Sequence, residues 1–198
     1  MNLPNKLTVS RFALTALFLW ALFSGIRYND TLALILFSLA GITDFLDGRI
    51  ARSRKLITNF GILMDPLADK ILTCSAFVAL VESTHIKPDA PVKVAAWMVI
   101  VIVARELAIT GLRLLAASKS IVLAAENFGK HKAVSQIAAI NALLLLDASQ
   151  EWPPAASNLL AEWLPVVAAI LLWLTVALTV ASGVIYLWRN RAIYLEEA

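Results

Sequence analysis

Apolar residues run along this chain in stretches of about 20, the length at which an α-helix crosses the ~30 Å hydrocarbon core of a bilayer. The pattern predicts six helices, over Thr8 to Ser24, Thr31 to Arg52, Thr58 to Val81, Val92 to Ala117, Lys130 to Leu146 and Leu160 to Trp188. The first is the weakest, because Arg11 confines its apolar part to Phe12 to Phe23, also the length of a signal-peptide core. The following SGIRYND lacks a small-x-small cleavage pattern, so the segment is expected to be retained, tilted or interfacial at its start.

Composition turns this pattern into a class. The chain has 198 residues, of which 60% are hydrophobic and only 16% charged, far from the balance of a soluble domain. The expectation is a single all-α integral membrane domain over residues 1–198, with six transmembrane helices and a polar cavity facing the cytoplasm. Orientation follows from lysine and arginine on alternate sides. One side receives Lys6, Arg11, Arg49, Arg52, Arg54, Lys55, Arg113, Lys119, Lys130, Lys132, Arg189 and Arg191, and the other Arg27, Lys87 and Lys93. Twelve against three places both termini in the cytoplasm. The net charge of +3 is then a topology signal, with no nucleic acid to invoke. The lone Cys74 excludes an internal disulfide and a cysteine metal cluster.

Charge inside the apolar segments is the feature that needs a function. Asp44 and Asp47 stand three residues apart, and Asp65 and Asp69 four apart, so each pair lies on one face of its helix. The pairs mirror each other about the basic turn SRKLITN. If that turn joins antiparallel helices, the four carboxylates meet at matching heights below the cytoplasmic surface. Bare, they would be costly, since one charge near the bilayer centre costs about 2.5 to 3.5 kcal/mol even on the lenient insertion scale. Oxygen ligands with no His or Cys nearby suit Mg²⁺ or Mn²⁺, and two pairs could hold two ions. Two such ions suit reactions at phosphorus, where a spare carboxylate can take a proton from an attacking hydroxyl. Gly48, Ala51 and Gly61 leave room for a flat group to approach the backbone. Pro66 should bend its helix or free the carbonyl of Ile62, and Lys70 should snorkel or pair locally.

The stretch D44-x2-D47-G48-x2-A51-R52-x8-G61-x3-D65-x3-D69 resembles, position for position, the signature of the CDP-alcohol phosphotransferases, membrane enzymes that make phospholipid head groups. The resemblance implies that Asp44, Asp47 and Asp65 ligate the metals and that Asp69 joins them and acts as general base. It also implies that Gly48, Ala51, Arg52 and Gly61 border the CDP moiety. Beyond the signature, NLPNKLTVSR, with Asn5 and Thr8 toward the nucleotide, R105-E106 with Arg113, and G129-K130-H131-K132 resemble the branch that uses glycerol 3-phosphate. Ala133 departs from it, standing where members often carry Thr. The resemblance further implies a homodimer in the bacterial inner membrane with a cytoplasmic active site.

The residues themselves support a phosphorylated acceptor. Arg105 follows the apolar run A95 to A104 and should face the polar cavity, with Arg113 two turns on. Lys130 and Lys132 stand at the start of the next helix, whose free amides add partial positive charge. Arginine forks bind phosphate oxygens bidentately, so these four would hold the acceptor's phosphate, with an ion pair to Glu106 as the plainer use of Arg105. The expected reaction passes the phosphatidyl group of CDP-diacylglycerol to glycerol 3-phosphate and releases CMP. Inositol phosphate or an unphosphorylated alcohol are alternative acceptors, and a divalent-cation transporter is the alternative of another class.

Overall fold

The computed structural model describes residues 3–54, 59–87, 90–119, 121 and 128–195, with the side chains of 3–8, 44–54, 59–63, 65, 66, 85, 128–131 and 192 outside the description. These residues form helices α1 (Leu3–Phe23), α2 (Asn29–Arg54), α3 (Asn59–Ile86), α4 (Ala96–Ser118), α5 (Phe128–Ser149), α6 (Pro154–Ala161), α7 (Leu164–Arg189) and α8 (Ala192–Leu195), and no strand occurs among them. Each expected apolar segment falls on one of the six long helices. The last begins later than the pattern predicts. Leu160 belongs to the short α6, and α7 starts after a turn at Glu162 and Trp163, with Pro165 in its first turn, where a missing N–H costs nothing. α3 runs through Pro66 without a break.

The long helices close into a ring. α1 packs on α2 and α3, α3 on α4, α4 on α7, α7 on α5, and α5 back on α2, while a contact between α3 and α5 crosses the middle. Small residues let these backbones approach, and Ala21, Ala33, Ala40, Ala76, Ala139 and Ala168 are fully buried. Phe18 of α1 and Phe37 of α2 fill the space between them in a tilted pair with centroids 5.5 Å apart. Around them lie Phe77, Leu80, Ile102, Ile140, Leu144 and Leu172. One side-chain hydrogen bond joins α2 to α5, from Ser38 Oγ to Asn141 Oδ1 at 2.7 Å.

The outside of the ring is as apolar as the inside. Ile35, Leu39, Val78, Ile100, Leu107, Leu114, Val134, Ile170, Trp173 and Val184 are all exposed, far beyond the patch a soluble monomer tolerates. Among the described residues, α7 alone is long and apolar enough to cross a membrane, with shorter apolar stretches over Val9–Phe23 and Asn29–Thr43. The chemistry explains the difference. α3 carries Asp65, Asp69 and Lys70, and α4 carries Arg105, Glu106 and Arg113, whereas α7 has no charge before Arg189. Two residues counted by sequence as cytoplasmic-side charges turn out to be interior, Arg11 at 1% exposure and Lys132 at 5%. Setting them aside leaves ten basic residues against three.

At the end of the bundle away from the aspartates, polar side chains clip the helix ends together. Glu151, between α5 and α6, accepts hydrogen bonds from the backbone N–H of Asp30 at 3.0 Å and of Thr31 at 2.9 Å, and from the Thr31 hydroxyl at 2.7 Å. It thereby caps the free amides of α2 with a charge of the right sign for the helix dipole. Trp152 Nε1 donates to the same hydroxyl at 3.0 Å. Lys87, just past α3, bonds Asp30 and lies 3.7 Å from Asp147 of α5, to which Ser83 Oγ also donates at 3.3 Å. Glu151→Ala, which strips the cap, should lower stability by about 1 to 2 kcal/mol, read as a lower apparent Tm in detergent. Glu151→Gln, still an acceptor, should lose less.

Candidate functional site

The last turns of α2 carry Asp44, Asp47, Gly48, Ala51 and Arg52, and the first turns of α3 carry Gly61, Asp65 and Asp69. Both helices are continuous across these positions, so the spacings of three and four keep each aspartate pair on one helix face. Both also pack on α1, whose opening turns hold Asn5 and Thr8. Of these residues only Asp69 has a described side chain. The metal and nucleotide assignments for Asp44, Asp47, Asp65, Asn5, Thr8, Ala51 and Arg52 therefore lie outside the described side chains, as do the glycine contacts at Gly48 and Gly61. Among the described side chains, no group of three or more His, Cys, Asp or Glu converges.

From Asp69 inward the site can be followed atom by atom. Asp69 is half-buried, and its carboxylate acts electrostatically on Lys132 of α5. Its neighbour Lys70 crosses to α4 and bonds the Thr110 hydroxyl, which itself donates to the Glu106 carbonyl at 2.7 Å. Lys70 thus finds its partner on another helix rather than locally or at the surface. Thr73 Oγ1 ties back to the Asp69 carbonyl at 3.0 Å.

Glu106 is the centre of this cluster. Only 7% exposed, its Oε1 accepts from the Lys132 ammonium and, at 3.2 Å, from Arg105 Nη1. The other end of the guanidinium donates from Nη2 to Ser182 Oγ of α7, again at 3.2 Å. Arg105 Nε is buried with no hydrogen-bond partner. Arg105 therefore makes its expected interior placement and also the ion pair with Glu106, and retains a free donor. Arg113, two turns along α4, is exposed, with Nε 3.4 Å from the Tyr186 hydroxyl and its guanidinium 5.8 Å from that ring. Lys130 lies in the first turn of α5, its side chain outside the description.

Arg105, Lys132 and Lys70 together outweigh Glu106 and Asp69, so the cluster retains positive charge and a buried donor, which suits an anion with several acceptor oxygens. Two apolar grooves flank it on the ring's exterior. One, of about 490 Å³, runs between α2 and α5 along Gly41, Ile42, Val134, Ile137 and Ala138, beginning one helical turn from Asp44. The other, of about 560 Å³, lies along Leu19, Phe23, Val78, Ala79 and Val103.

Two buried charges were underread in the sequence. Glu106 beside Arg105 in an apolar segment was a visible signal, since an acid there needs cationic partners as much as the arginine needs a site. Arg11 was taken for a surface charge because it sits near the start of α1, yet it is buried and engaged in an interaction of its own.

A helical ring with carboxylate pairs on two adjacent helices and a cationic interior beside them defines the class. The chain belongs to the CDP-alcohol phosphatidyltransferase family, whose pattern it matches over residues 1–181. It is similar to proteins named CDP-diacylglycerol--glycerol-3-phosphate 3-phosphatidyltransferase. That of Bacillus subtilis (strain 168) is 40% identical, covering 96% of this chain and 95% of the relative. That of Rickettsia bellii (strain RML369-C) is 32% identical, covering 93% of each, and that of Haemophilus influenzae (strain ATCC 51907 / DSM 11121 / KW20 / Rd) 31% identical, covering 94% and 91%. Family membership sets the transporter alternative aside.

Removing the central anion should cost more than removing one of its partners. Glu106→Ala leaves Arg105 and Lys132 facing each other unpaired and should destabilise by about 3 kcal/mol, whereas Arg105→Ala keeps the Glu106–Lys132 pair and should cost less. Thermal unfolding of the two variants in detergent decides this, and the reverse order would remove Glu106 from the centre of the cluster.

Proposed function

We propose that this enzyme transfers the phosphatidyl group of CDP-diacylglycerol to the 1-hydroxyl of glycerol 3-phosphate, giving phosphatidylglycerol phosphate and CMP. The observation that carries the reading is the cationic cluster of Arg105 and Lys132 within the field of Asp69, in a chain similar throughout to transferases named for those two substrates. Arg105, Arg113, Lys130 and Lys132 bind the acceptor's phosphate. An acceptor without phosphate would leave the buried Arg105 donor with nothing to meet.

Asp69 takes the proton of the acceptor hydroxyl. The oxygen forms a bond to the phosphorus bearing diacylglycerol, and the pyrophosphate bond breaks to release CMP. Asp44, Asp47, Asp65 and Asp69 fit two hard divalent cations, Mg²⁺ or Mn²⁺, in donor type and in helical spacing. When bound, such ions neutralise phosphoryl oxygens and the charge that develops on them. Asn5, Thr8, Gly48, Ala51, Arg52 and Gly61 border the CDP moiety.

The setting is the membrane. The exposed apolar exterior and the span-length α7 support six transmembrane helices with a cytoplasm-facing cavity in the bacterial inner membrane. The groove between α2 and α5 offers a donor acyl chain a lipid-side seat one turn from Asp44. The homodimer implied by the resemblance completes the reading.

Purified protein with Mg²⁺ and CDP-diacylglycerol should release CMP with glycerol 3-phosphate, and far less with inositol phosphate, serine or glycerol. Release with another of these acceptors instead would keep the aspartate chemistry and discard the acceptor. Asp69→Asn should abolish transfer in a folded protein, and near-normal turnover would remove Asp69 from the mechanism. Arg105→Ala should raise KM for glycerol 3-phosphate, by roughly tenfold or more for one charged hydrogen bond lost, with KM for CDP-diacylglycerol little changed.

A further inference from the structure

Residues 182 and 183 lie just beyond the stretch that matches the family, which ends at 181. Both touch Arg105. Ser182, 6% exposed, accepts from Arg105 Nη2 while its own hydroxyl donates to the Thr179 carbonyl at 3.2 Å. That donation turns the hydroxyl's lone pairs toward the guanidinium, because an O–H has one proton to give and it is committed to α7's backbone. Gly183 performs the complementary task by omission. A Cβ built there would lie 2.9 Å from Arg105 Cγ, closer than carbon atoms tolerate. The clash is with the middle of the stem, so relieving it means moving the arginine as a whole. Glu106 then holds Nη1 from α4's own side, leaving the buried Nε as the one guanidinium donor with no partner. An arginine clamped through both terminal nitrogens, with its stem seated on a glycine, has few rotamers left to lose on binding.

We propose that Ser182 and Gly183 of α7 are positioning residues that fix Arg105 for the acceptor's phosphate, and so set the enzyme's affinity for glycerol 3-phosphate without touching either substrate. The proposal rests on Arg105 binding that phosphate. Neighbouring α7 positions fit the same task. Thr175 and Thr179 are fully buried, and Tyr186, one turn beyond Ser182, receives Arg113 as Ser182 receives Arg105. α7 therefore presents hydroxyls to the two arginines of α4 in register.

The test is a double-mutant cycle in steady-state kinetics, with both substrates varied. Ser182→Ala and Gly183→Ala should each raise KM for glycerol 3-phosphate by roughly tenfold, with KM for CDP-diacylglycerol changed by less than about twofold. Ser182→Thr, which keeps the hydroxyl, should restore most of the loss. In an Arg105→Ala background neither substitution should have a further effect, since the group they act through is gone. Additive losses in that background, or equal losses for both substrates, would overturn the proposal. If Gly183→Ala does not yield folded protein, the contrast of Ser182→Ala with Ser182→Thr decides alone. Arg105→Ala that leaves the acceptor's KM unchanged instead refutes the phosphate assignment, an outcome distinct from failure of the α7 residues to couple to it.

Discussion

A carboxylate buried among apolar helices must be met by cations, and in this bundle that carboxylate is Glu106. Charge taken out of water loses several kcal/mol of hydration, which a single partner at 3.2 Å only partly returns. Glu106 gathers two, one from its own helix and one from α5, and the second fixes how α4 and α5 stand to each other across the bundle. The arginine is in turn held by α7. Four helices are thereby organised around one anion once Lys70 of α3 reaches Thr110 and, through it, the Glu106 backbone. Apolar packing supplies most of the contact area, but apolar packing is tolerant of sliding, whereas charge-assisted hydrogen bonds in a low dielectric are not.

The same constraint explains the distribution of hydrophobicity. Helices that contribute to the polar interior cannot be uniformly apolar, so α3 and α4 carry charge where a simple anchor would carry leucine. α7 contributes hydroxyls instead of charges, and so combines span-length apolarity with a polar stripe of Thr175, Thr179, Ser182 and Tyr186 on its buried face. A hydroxyl is cheap to bury beside a helix carbonyl, which accepts its proton, so polar function can be added to such a helix at small cost to its insertion.

How much of this was legible in the sequence depended on whether the signal was local. The six long helices could be read from apolar length alone, and the aspartate pairs from spacings of three and four, because both are properties of one helix. The α6–α7 break was missed because Pro154 and Pro165 interrupt a stretch that remains apolar throughout, so length gave no warning. Arg11 and Lys132 were read as surface charges because position near a helix end cannot tell an interior face from an exterior one. Their burial follows from which helices neighbour α1 and α5 in the ring, and that is a matter of long-range packing. The partners of Arg105 show both cases. Glu106 is its sequence neighbour and was in view, while Ser182 lies 77 residues away and carries no mark that separates it from any other serine in an apolar helix.

The order of helices around the ring gives the proposed reaction its geometry. The donor's signature sits on α2 and α3, which share α1 as a packing partner, and the acceptor's cations sit on α4 and α5, which share α7. α3 alone contacts helices of both groups in the middle, and Asp69 is the signature aspartate whose carboxylate reaches the field of the cations. A general base must stand between the phosphorus it serves and the hydroxyl it deprotonates, and the last aspartate of the signature, one turn deeper than Asp65, occupies that junction. Lys132, opposite, favours the ionised form of such a carboxylate and so keeps it able to accept a proton. On this arrangement the acceptor's phosphate and its reacting hydroxyl address adjacent turns of neighbouring helices, and the rigid clamp on Arg105 becomes a requirement of alignment as much as of affinity.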